Sequence, residues 1–175
     1  MADWAHRRAT INGIGVHYVE QGSGPLLVLC HGFPHLWLSW HRQIAALAGQ
    51  GWRVLAPDMR GMGQTDAPAD PAQYDCDHTV GDLLGLLDHL GEERAVFAGL
   101  DFGIFAIYDL AWRHPERVRE VIALENPFWP DREDIAPLAE AAEWAQNHFV
   151  HIEYFRPPGP ADRDQVSVAV TAACR

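Results

Sequence analysis

The chain is poor in cysteine. Its 175 residues include only three, and Cys30, Cys76 and Cys174 lie far apart. An odd number at such wide spacing provides neither the disulfide framework of a small secreted domain nor the ligand pattern of a zinc site. We therefore expect a cytoplasmic protein without a metal site. No motif implies an organic cofactor.

Basic residues and long apolar runs are also scarce. Arginine and lysine total 13 against 24 aspartates and glutamates, and the formal net charge is −11. Such a charge argues against nucleic acid or an anionic membrane surface as a partner. No apolar run is long enough to cross a bilayer or to act as a secretory signal. The length suffices for one sizeable core.

Strand-like and helix-like segments alternate along most of the chain. The apolar run from Leu26 to Cys30 is typical of a strand buried on both faces. Further strands are predicted at 53–56, 95–98 and 118–124, with helices at 37–48, 78–90 and 104–113. A hairpin is predicted at 9–20, around Asn12-Gly13. This order indicates an α/β fold with a largely parallel sheet.

The alternation stops near Pro127. Beyond it a helical pattern covers residues 136–149, and no further strand-helix unit follows. We therefore expect a domain boundary at this point, with residues 1–126 in the core and residues 127–175 in a second region.

The most informative motif is Gly99-Leu100-Asp101-Phe102-Gly103, which lies between a strand pattern and a helical pattern. Small residues on both sides let the backbone turn sharply, so the central residue is raised above the sheet in a strained conformation. That residue is Asp101. An ionised aspartate can displace a leaving group at saturated carbon without the base that a serine needs. The motif therefore favours epoxides or carbon–halogen bonds over esters as substrates.

Other polar positions also follow predicted strands. Three such positions lie at the carboxyl ends of predicted strands, where α/β sheets place their active sites: the motif His31-Gly32-Phe33-Pro34, Asp58 and Glu125. Gly32 lets the backbone approach a ligand, and the amide of Phe33 can point into the site. The loop after Asp58 is interpreted as structural, with Arg60 and Asp66 bracing it.

Together these motifs resemble the α/β-hydrolase superfamily, and within it the epoxide hydrolases that use an aspartate nucleophile. The resemblance runs through residues 31–34, 56–63, 99–103 and 114–118. It implies an α/β-hydrolase fold, represented by the N-terminal half of the mostly parallel sheet. Residues 127–175 would then be the beginning of a helical cap.

The resemblance also implies roles for individual residues. Asp101 would attack an epoxide carbon to form an alkyl ester, which an activated water would hydrolyse to a diol. The backbone amides of Phe33 and Phe102 would form the oxyanion hole. A small apolar epoxide is the expected substrate.

Haloalkane dehalogenases share this fold and nucleophile, so they are an alternative. They usually hold the halide with a tryptophan N–H after the aspartate and often with an asparagine in the first motif, where this chain has Phe102 and Phe33. A phenyl ring donates no hydrogen bond to a leaving halide, so the epoxide hypothesis is favoured. Glu125 favours the dehalogenase alternative, because some dehalogenases place their catalytic acid at the same strand end. A solvated glutamate without a catalytic role is an equal alternative.

The substrate pocket is expected to draw on both regions. In the family, a cap tyrosine before a Pro-Gly pair holds the epoxide oxygen. Here the residue in that place relative to Pro158-Gly159 is His151, and Tyr154 follows one helical turn later. A phenol is a suitable proton donor for a leaving alkoxide. The other predicted pocket residues are His31, Trp37 and Trp129, although burial in a core is the ordinary role of tryptophan.

The family's general-base histidine would lie beyond Arg175. We therefore expect a truncated chain that does not turn over alone, and a non-catalytic remnant is a further alternative. Truncation would also leave the strand at 118–124 as an unpaired sheet edge, through which the chain would self-associate.

Overall fold

The computed structural model describes residues 4–125, which form a six-stranded sheet with a hydrophobic layer on each face. The strands are β1 (Ala5–Ile11), β2 (Ile14–Gln21), β3 (Leu26–Cys30), β4 (Arg53–Pro57), β5 (Ala95–Leu100) and β6 (Val118–Leu124). Their order across the sheet is β1-β2-β4-β3-β5-β6. Strands β4, β3, β5 and β6 run parallel, whereas β1 and β2 pair antiparallel. The predicted α/β fold with a largely parallel sheet is confirmed.

Between residues 4 and 125, three α-helices accompany these strands: α1 (His41–Ala48), α2 (Cys76–Leu90) and α3 (Phe102–Arg113). Helix α1 is shorter than predicted, because Trp37–Trp40 form a 3-10 turn in front of it. Helix α2 begins earlier than predicted, because the Asp75 side chain accepts a hydrogen bond of 2.8 Å from the His78 N–H and caps the first turn. Two more 3-10 turns lie at Pro71–Tyr74 and Pro115–Arg117.

The position of β3 between two hydrophobic layers explains why its sequence is apolar without interruption. Leu26, Val28 and Cys30 lie in the hydrophobic layer that contains residues of α2 and α3. Leu27 and Leu29 lie in the opposite layer, which contains Ile44 of α1. Successive side chains of a strand point to opposite faces, so a strand covered on both sides requires apolar residues at every position.

The hairpin between β1 and β2 turns at Asn12-Gly13. Both residues have positive φ, 49° and 84°, and Ile11 pairs directly with Ile14 across the turn. Asparagine and glycine tolerate that conformation, which matches the twist of the flanking strands. The predicted hairpin is confirmed, and it places β2 beside β4.

The chain changes direction across the sheet at β3. It passes from β3 to β4 on one side and later reaches β5 on the other side. At such a switch point a crevice opens at the carboxyl ends of the two diverging strands. In this sheet the expected place for that crevice is between the loop that starts at His31 and the turn at Asp101.

Several predictions concern the ends of the described segment. Within residues 4–125 no helix is both long and apolar enough to cross a membrane. In the same range β6 is an outer strand, with Ile122 and Leu124 exposed, and self-association through it stays a prediction. The boundary near Pro127 and the helix at 136–149 lie outside the described residues.

The start of α3 approaches the end of β3 so closely that only glycine fits at position 103. A methyl group on Gly103 would lie 2.4 Å from the carbonyl oxygen of Cys30. We expect Gly103→Ala to lower the free energy of unfolding by about 1–3 kcal/mol, because backbone atoms cannot move aside as a side chain could. Urea denaturation followed by circular dichroism measures the change.

The matched control is Gly81→Ala, a glycine inside α2. A methyl group there meets only the Asn12 side chain, at 3.4 Å. The control should be neutral or stabilising by up to about 1 kcal/mol, because alanine is the better helix former. Equal effects of the two substitutions would contradict the close approach at Gly103.

Candidate active site

Asp101 occupies the sharp turn between β5 and α3. Its φ and ψ are 51° and −125°, an arrangement that a residue with a side chain rarely adopts. Strand β5 ends directly before it and α3 begins directly after it. A strained non-glycine residue at such a turn is held there by its surroundings, and strain of this kind is concentrated at functional sites. The strand-turn-helix arrangement inferred from the sequence is present.

The loop after β3 holds the Asp101 carboxylate. The backbone N–H of Phe33 donates to Oδ1 of Asp101 over 2.8 Å, and the residue is half-buried. A methyl group on Gly32 would lie 2.3 Å from Oδ1 and from Cβ of Asp101, so glycine is required for the contact. The structure therefore brings together two of the predicted site residues, Asp101 and Phe33.

His31 lies behind this loop and is fully buried. Its Nε2 accepts a hydrogen bond of 2.9 Å from the Met59 N–H, and its Nδ1 lies 2.8 Å from the carbonyl oxygen of Gly32. Because Nε2 accepts, Nδ1 carries the proton and donates to that carbonyl. Burial lowers the pKa of His31, which keeps the ring neutral. Both ring nitrogens are thus used to shape the loop.

Trp37, one of the predicted pocket residues, lies in the hydrophobic layer on the α1 side of the sheet. Its ring makes edge-to-face contacts with Trp4 and His6, at centroid distances of 5.7 and 5.2 Å. Only 8% of the residue is exposed. In this arrangement its main contribution is to pack the end of the loop that begins at His31.

The other predicted residues differ in what surrounds them. Phe102 is the first residue of α3, so its amide is next to the Asp101 carboxylate in the chain. Glu125 directly follows β6, the strand beside β5, and is exposed with a positive φ of 85°. The predicted pocket residues Trp129, His151 and Tyr154 lie outside the described residues.

The loop after β4 is braced as the sequence suggested. Arg60 donates two hydrogen bonds to Asp82, of 2.8 and 2.6 Å, and both residues are buried. Asp66 accepts a 2.7 Å bond from the Gly15 N–H and pairs with Arg8. These contacts tie the loop to α2 and to the β1–β2 hairpin, away from Asp101.

Sequence reasoning missed one side chain, His17. It is 3% exposed, and its Nδ1 lies 2.7 Å from Oδ2 of Asp58, the residue that follows β4. No local motif marks His17, because it stands among apolar residues of β2. The sequence does contain a histidine in one predicted strand and an aspartate at the end of another. Recognising the two residues as partners requires the order of the strands in the sheet.

No group of three histidine, cysteine, aspartate or glutamate side chains within residues 4–125 is arranged to hold a metal ion. In the same range the Asp101 carboxylate accepts a hydrogen bond from the backbone N–H of Phe33.

Comparison with known proteins identifies the family. The profile of the alpha/beta hydrolase fold matches residues 25–156. The chain belongs to this family. An epoxide hydrolase of Caballeronia sordidicola is 41% identical over 160 residues, which cover 91% of this chain and 48% of that protein. The bifunctional epoxide hydrolase 2 of Sus scrofa is 41% identical over 152 residues, covering 87% and 27%.

Solved structures agree with this assignment to the alpha/beta hydrolases. The crystal structure of an epoxide hydrolase from Vigna radiata matches with a TM-score of 0.83 and 36% identity, over 95% of this chain and 54% of that one. Epoxide hydrolase A of Mycobacterium thermoresistibile matches with a TM-score of 0.82 and 39% identity, over 93% and 51%. The chain thus spans about half the length of these proteins and resembles epoxide hydrolases throughout the shared part.

The buried, neutral His31 makes stability depend on pH. Its pKa is lowered in the folded state, so below about pH 6.5 the unfolded chain binds the extra proton more readily. The stability that the neutral ring provides is complete above that pH and is lost as the pH falls towards the lowered pKa. The free energy of unfolding should therefore decrease between about pH 7 and pH 5, by at most about 1.4 kcal/mol per pH unit from this group.

Glutamine at position 31 offers an oxygen to the Met59 N–H and does not titrate. Urea denaturation from pH 7 to pH 5 should show a shallower decrease for His31→Gln than for the unchanged chain. His89→Gln, at an exposed position in α2, is the matched control and should keep the original slope. Identical slopes for all three proteins would contradict the role assigned to His31.

Proposed function

We propose that this chain carries the nucleophilic part of an epoxide hydrolase site, in which Asp101 attacks an epoxide carbon. One observation carries the proposal: Asp101 stands at a strained strand-helix turn with one carboxylate oxygen held by the Phe33 amide. The similarity to epoxide hydrolases over about nine-tenths of the chain supports it.

The contact at Oδ1 supports different roles for the two carboxylate oxygens of Asp101. Oδ1 is held by the amide, so Oδ2 is the oxygen that attacks. As the Oδ2–carbon bond forms, the carbon–oxygen bond of the epoxide breaks and its electron pair stays on oxygen as an alkoxide. The alkoxide then takes a proton, and we assign the donor to Tyr154, with His151 close to it in sequence.

In the second step, a general base takes a proton from water while the water oxygen bonds to the carbonyl carbon of the ester, and negative charge develops on Oδ1. The amides of Phe33 and Phe102 are assigned to stabilise that charge. When the carbonyl group forms again, the bond between that carbon and Oδ2 breaks, and the diol leaves with Oδ2 after taking the proton from the base. Glu125 is assigned as the acid that orients the base for this step, because it follows the strand next to β5. His31 is unsuited to be the base, since both its ring nitrogens are engaged in the fold.

The first step can be tested without turnover. The purified chain is incubated with styrene oxide, and intact-protein mass spectrometry follows the covalent adduct. We expect a gain of one whole epoxide per chain, because epoxide opening loses no atoms, and peptide mapping should place it on Asp101. A haloalkane is tested in parallel, for which an adduct would carry the alkyl group alone and halide would be released.

Two variants control the experiment. Asp101→Asn removes the nucleophile with little change of shape and should give no adduct. Asp109→Asn removes another carboxylate of α3, one that pairs with Arg113, and should be labelled like the unchanged chain. Labelling that survives in Asp101→Asn would overturn the proposal. Labelling by the haloalkane alone would favour the dehalogenase alternative.

A further inference from the structure

The segment from His31 to Trp37 carries the Phe33 amide and is fixed at both ends by two consecutive residues. At its start, His31 Nε2 accepts the N–H of Met59 over 2.9 Å. At its end, the N–H of Trp37 donates to Oδ1 of Asp58 over 3.0 Å. The position of the Phe33 amide, and so of the Asp101 carboxylate, therefore depends on the residues directly after β4.

The Asp58 carboxylate is almost fully enclosed, with 1% of the residue exposed. Its Oδ1 accepts the Trp37 N–H, while its Oδ2 accepts from His17 Nδ1 over 2.7 Å and from the Gln64 N–H over 3.0 Å. A methyl group on Gly63 would lie 2.3 Å from Oδ2, so the loop leaves room for this oxygen only with glycine there. The surroundings fit an ionised carboxylate in one orientation.

The hydrogen bonds around His17 fix its tautomer. An ionised carboxylate only accepts, so His17 Nδ1 carries the proton that Asp58 receives. The other ring nitrogen of His17, Nε2, lies 2.9 Å from Nδ1 of the exposed His6. The two rings also stack, with centroids 5.2 Å apart.

The contact between His17 Nδ1 and Asp58 Oδ2 adds little to the pairing of β2 with β4, because backbone hydrogen bonds already join these strands. The Asp58 N–H donates to the His17 carbonyl oxygen over 2.9 Å, and β2 and β4 continue in register from Tyr18 and Pro57. What the contact between His17 Nδ1 and Asp58 Oδ2 does fix is the rotation of the carboxylate. That rotation aims Oδ1 at the Trp37 N–H.

We propose that Asp58, held in orientation by His17, is a positioning residue for the Asp101 nucleophile. It fixes the segment from His31 to Trp37, whose Phe33 amide holds Asp101 Oδ1. The proposal rests on the function assigned above to Asp101. A reaction whose geometry must be held to a fraction of an ångström is sensitive to such distant supports, and a displacement of about 1 Å can cost about a hundredfold in rate.

Three substitutions separate this role from general support of the fold. In Asp58→Asn the amide group can still accept from Trp37, but its NH2 cannot accept from Gln64 or from the His17 Nδ1–H. In His17→Asn the side-chain nitrogen takes the place of Nδ1 and can still donate to Asp58. In His17→Gln the nitrogen takes the place of Nε2 instead, so the bond to Asp58 is lost while the residue stays polar.

The first measurement is independent of reactivity. The full chain is labelled with 15N-phenylalanine, and the Phe33 amide resonance is assigned by its disappearance in Phe33→Tyr. Asp101→Ala gives the position of that resonance without a carboxylate acceptor. We expect Asp58→Asn and His17→Gln to move the resonance towards this reference, and His17→Asn to leave it at its original position.

The second measurement is the rate of styrene oxide labelling as a function of epoxide concentration. We expect Asp58→Asn and His17→Gln to lower the maximal rate by about tenfold or more. The half-saturating concentration should stay within about twofold, because the pocket walls are unchanged, and His17→Asn should retain the original rate. Circular dichroism and melting curves select the variants that are folded, and the His17 pair decides alone if Asp58→Asn fails to fold.

Folded Asp58→Asn and His17→Gln with an unchanged Phe33 resonance would overturn the proposal, and so would equal changes in His17→Asn and His17→Gln. If the unchanged chain is not labelled by epoxide, the function assigned to Asp101 fails, and the Phe33 resonance alone decides whether the positioning network exists.

Discussion

The hydrogen bond between the Phe33 amide and Asp101 Oδ1, 2.8 Å long, joins the two halves of the crevice at the switch point of the sheet. Strands β3 and β5 are neighbours, so the segments that follow them leave the sheet side by side. A carboxylate at that place needs a donor, because an unpaired charge at a half-buried site is costly. The backbone amide supplies the donor without a side chain that would occupy the crevice.

This contact depends on two glycines as much as on the residues that form it. Gly32 and Gly103 lie where a methyl group would come within 2.4 Å of atoms of Asp101 or of the β3 backbone. Glycine is therefore needed both where the loop after β3 meets the Asp101 side chain and where the start of α3 meets the end of β3. Strain at Asp101, whose φ is 51°, is tolerated because β5, α3 and the loop after β3 all fix the turn. Packing on both faces of the sheet stabilises the site at a distance.

Local pattern was enough to predict the elements and the turn at Asp101, because hydrophobic period, glycine and strand ends are properties of short segments. It was not enough to find His17, whose partner Asp58 belongs to a different strand, nor to see that His31 lies beneath the loop. These contacts are set by which strands become neighbours and by the side on which each residue faces. Trp37 lies in the hydrophobic layer on the α1 side of the sheet, the ordinary place of a tryptophan, and its contact with substrate stays a prediction.

The same amide can serve both steps of the proposed reaction without rearrangement. In the resting state it holds the charge on Oδ1, and alkylation of Oδ2 removes that charge. Attack of water on the ester returns negative charge to Oδ1, which is still beside the Phe33 N–H. Hydrogen bonding to both oxygens of the resting carboxylate would stabilise it further and make it a weaker nucleophile. A single hydrogen bond to Oδ1 orients the Asp101 carboxylate and leaves Oδ2 reactive. A donor of this kind contributes about a hundredfold to a thousandfold in rate where negative charge develops.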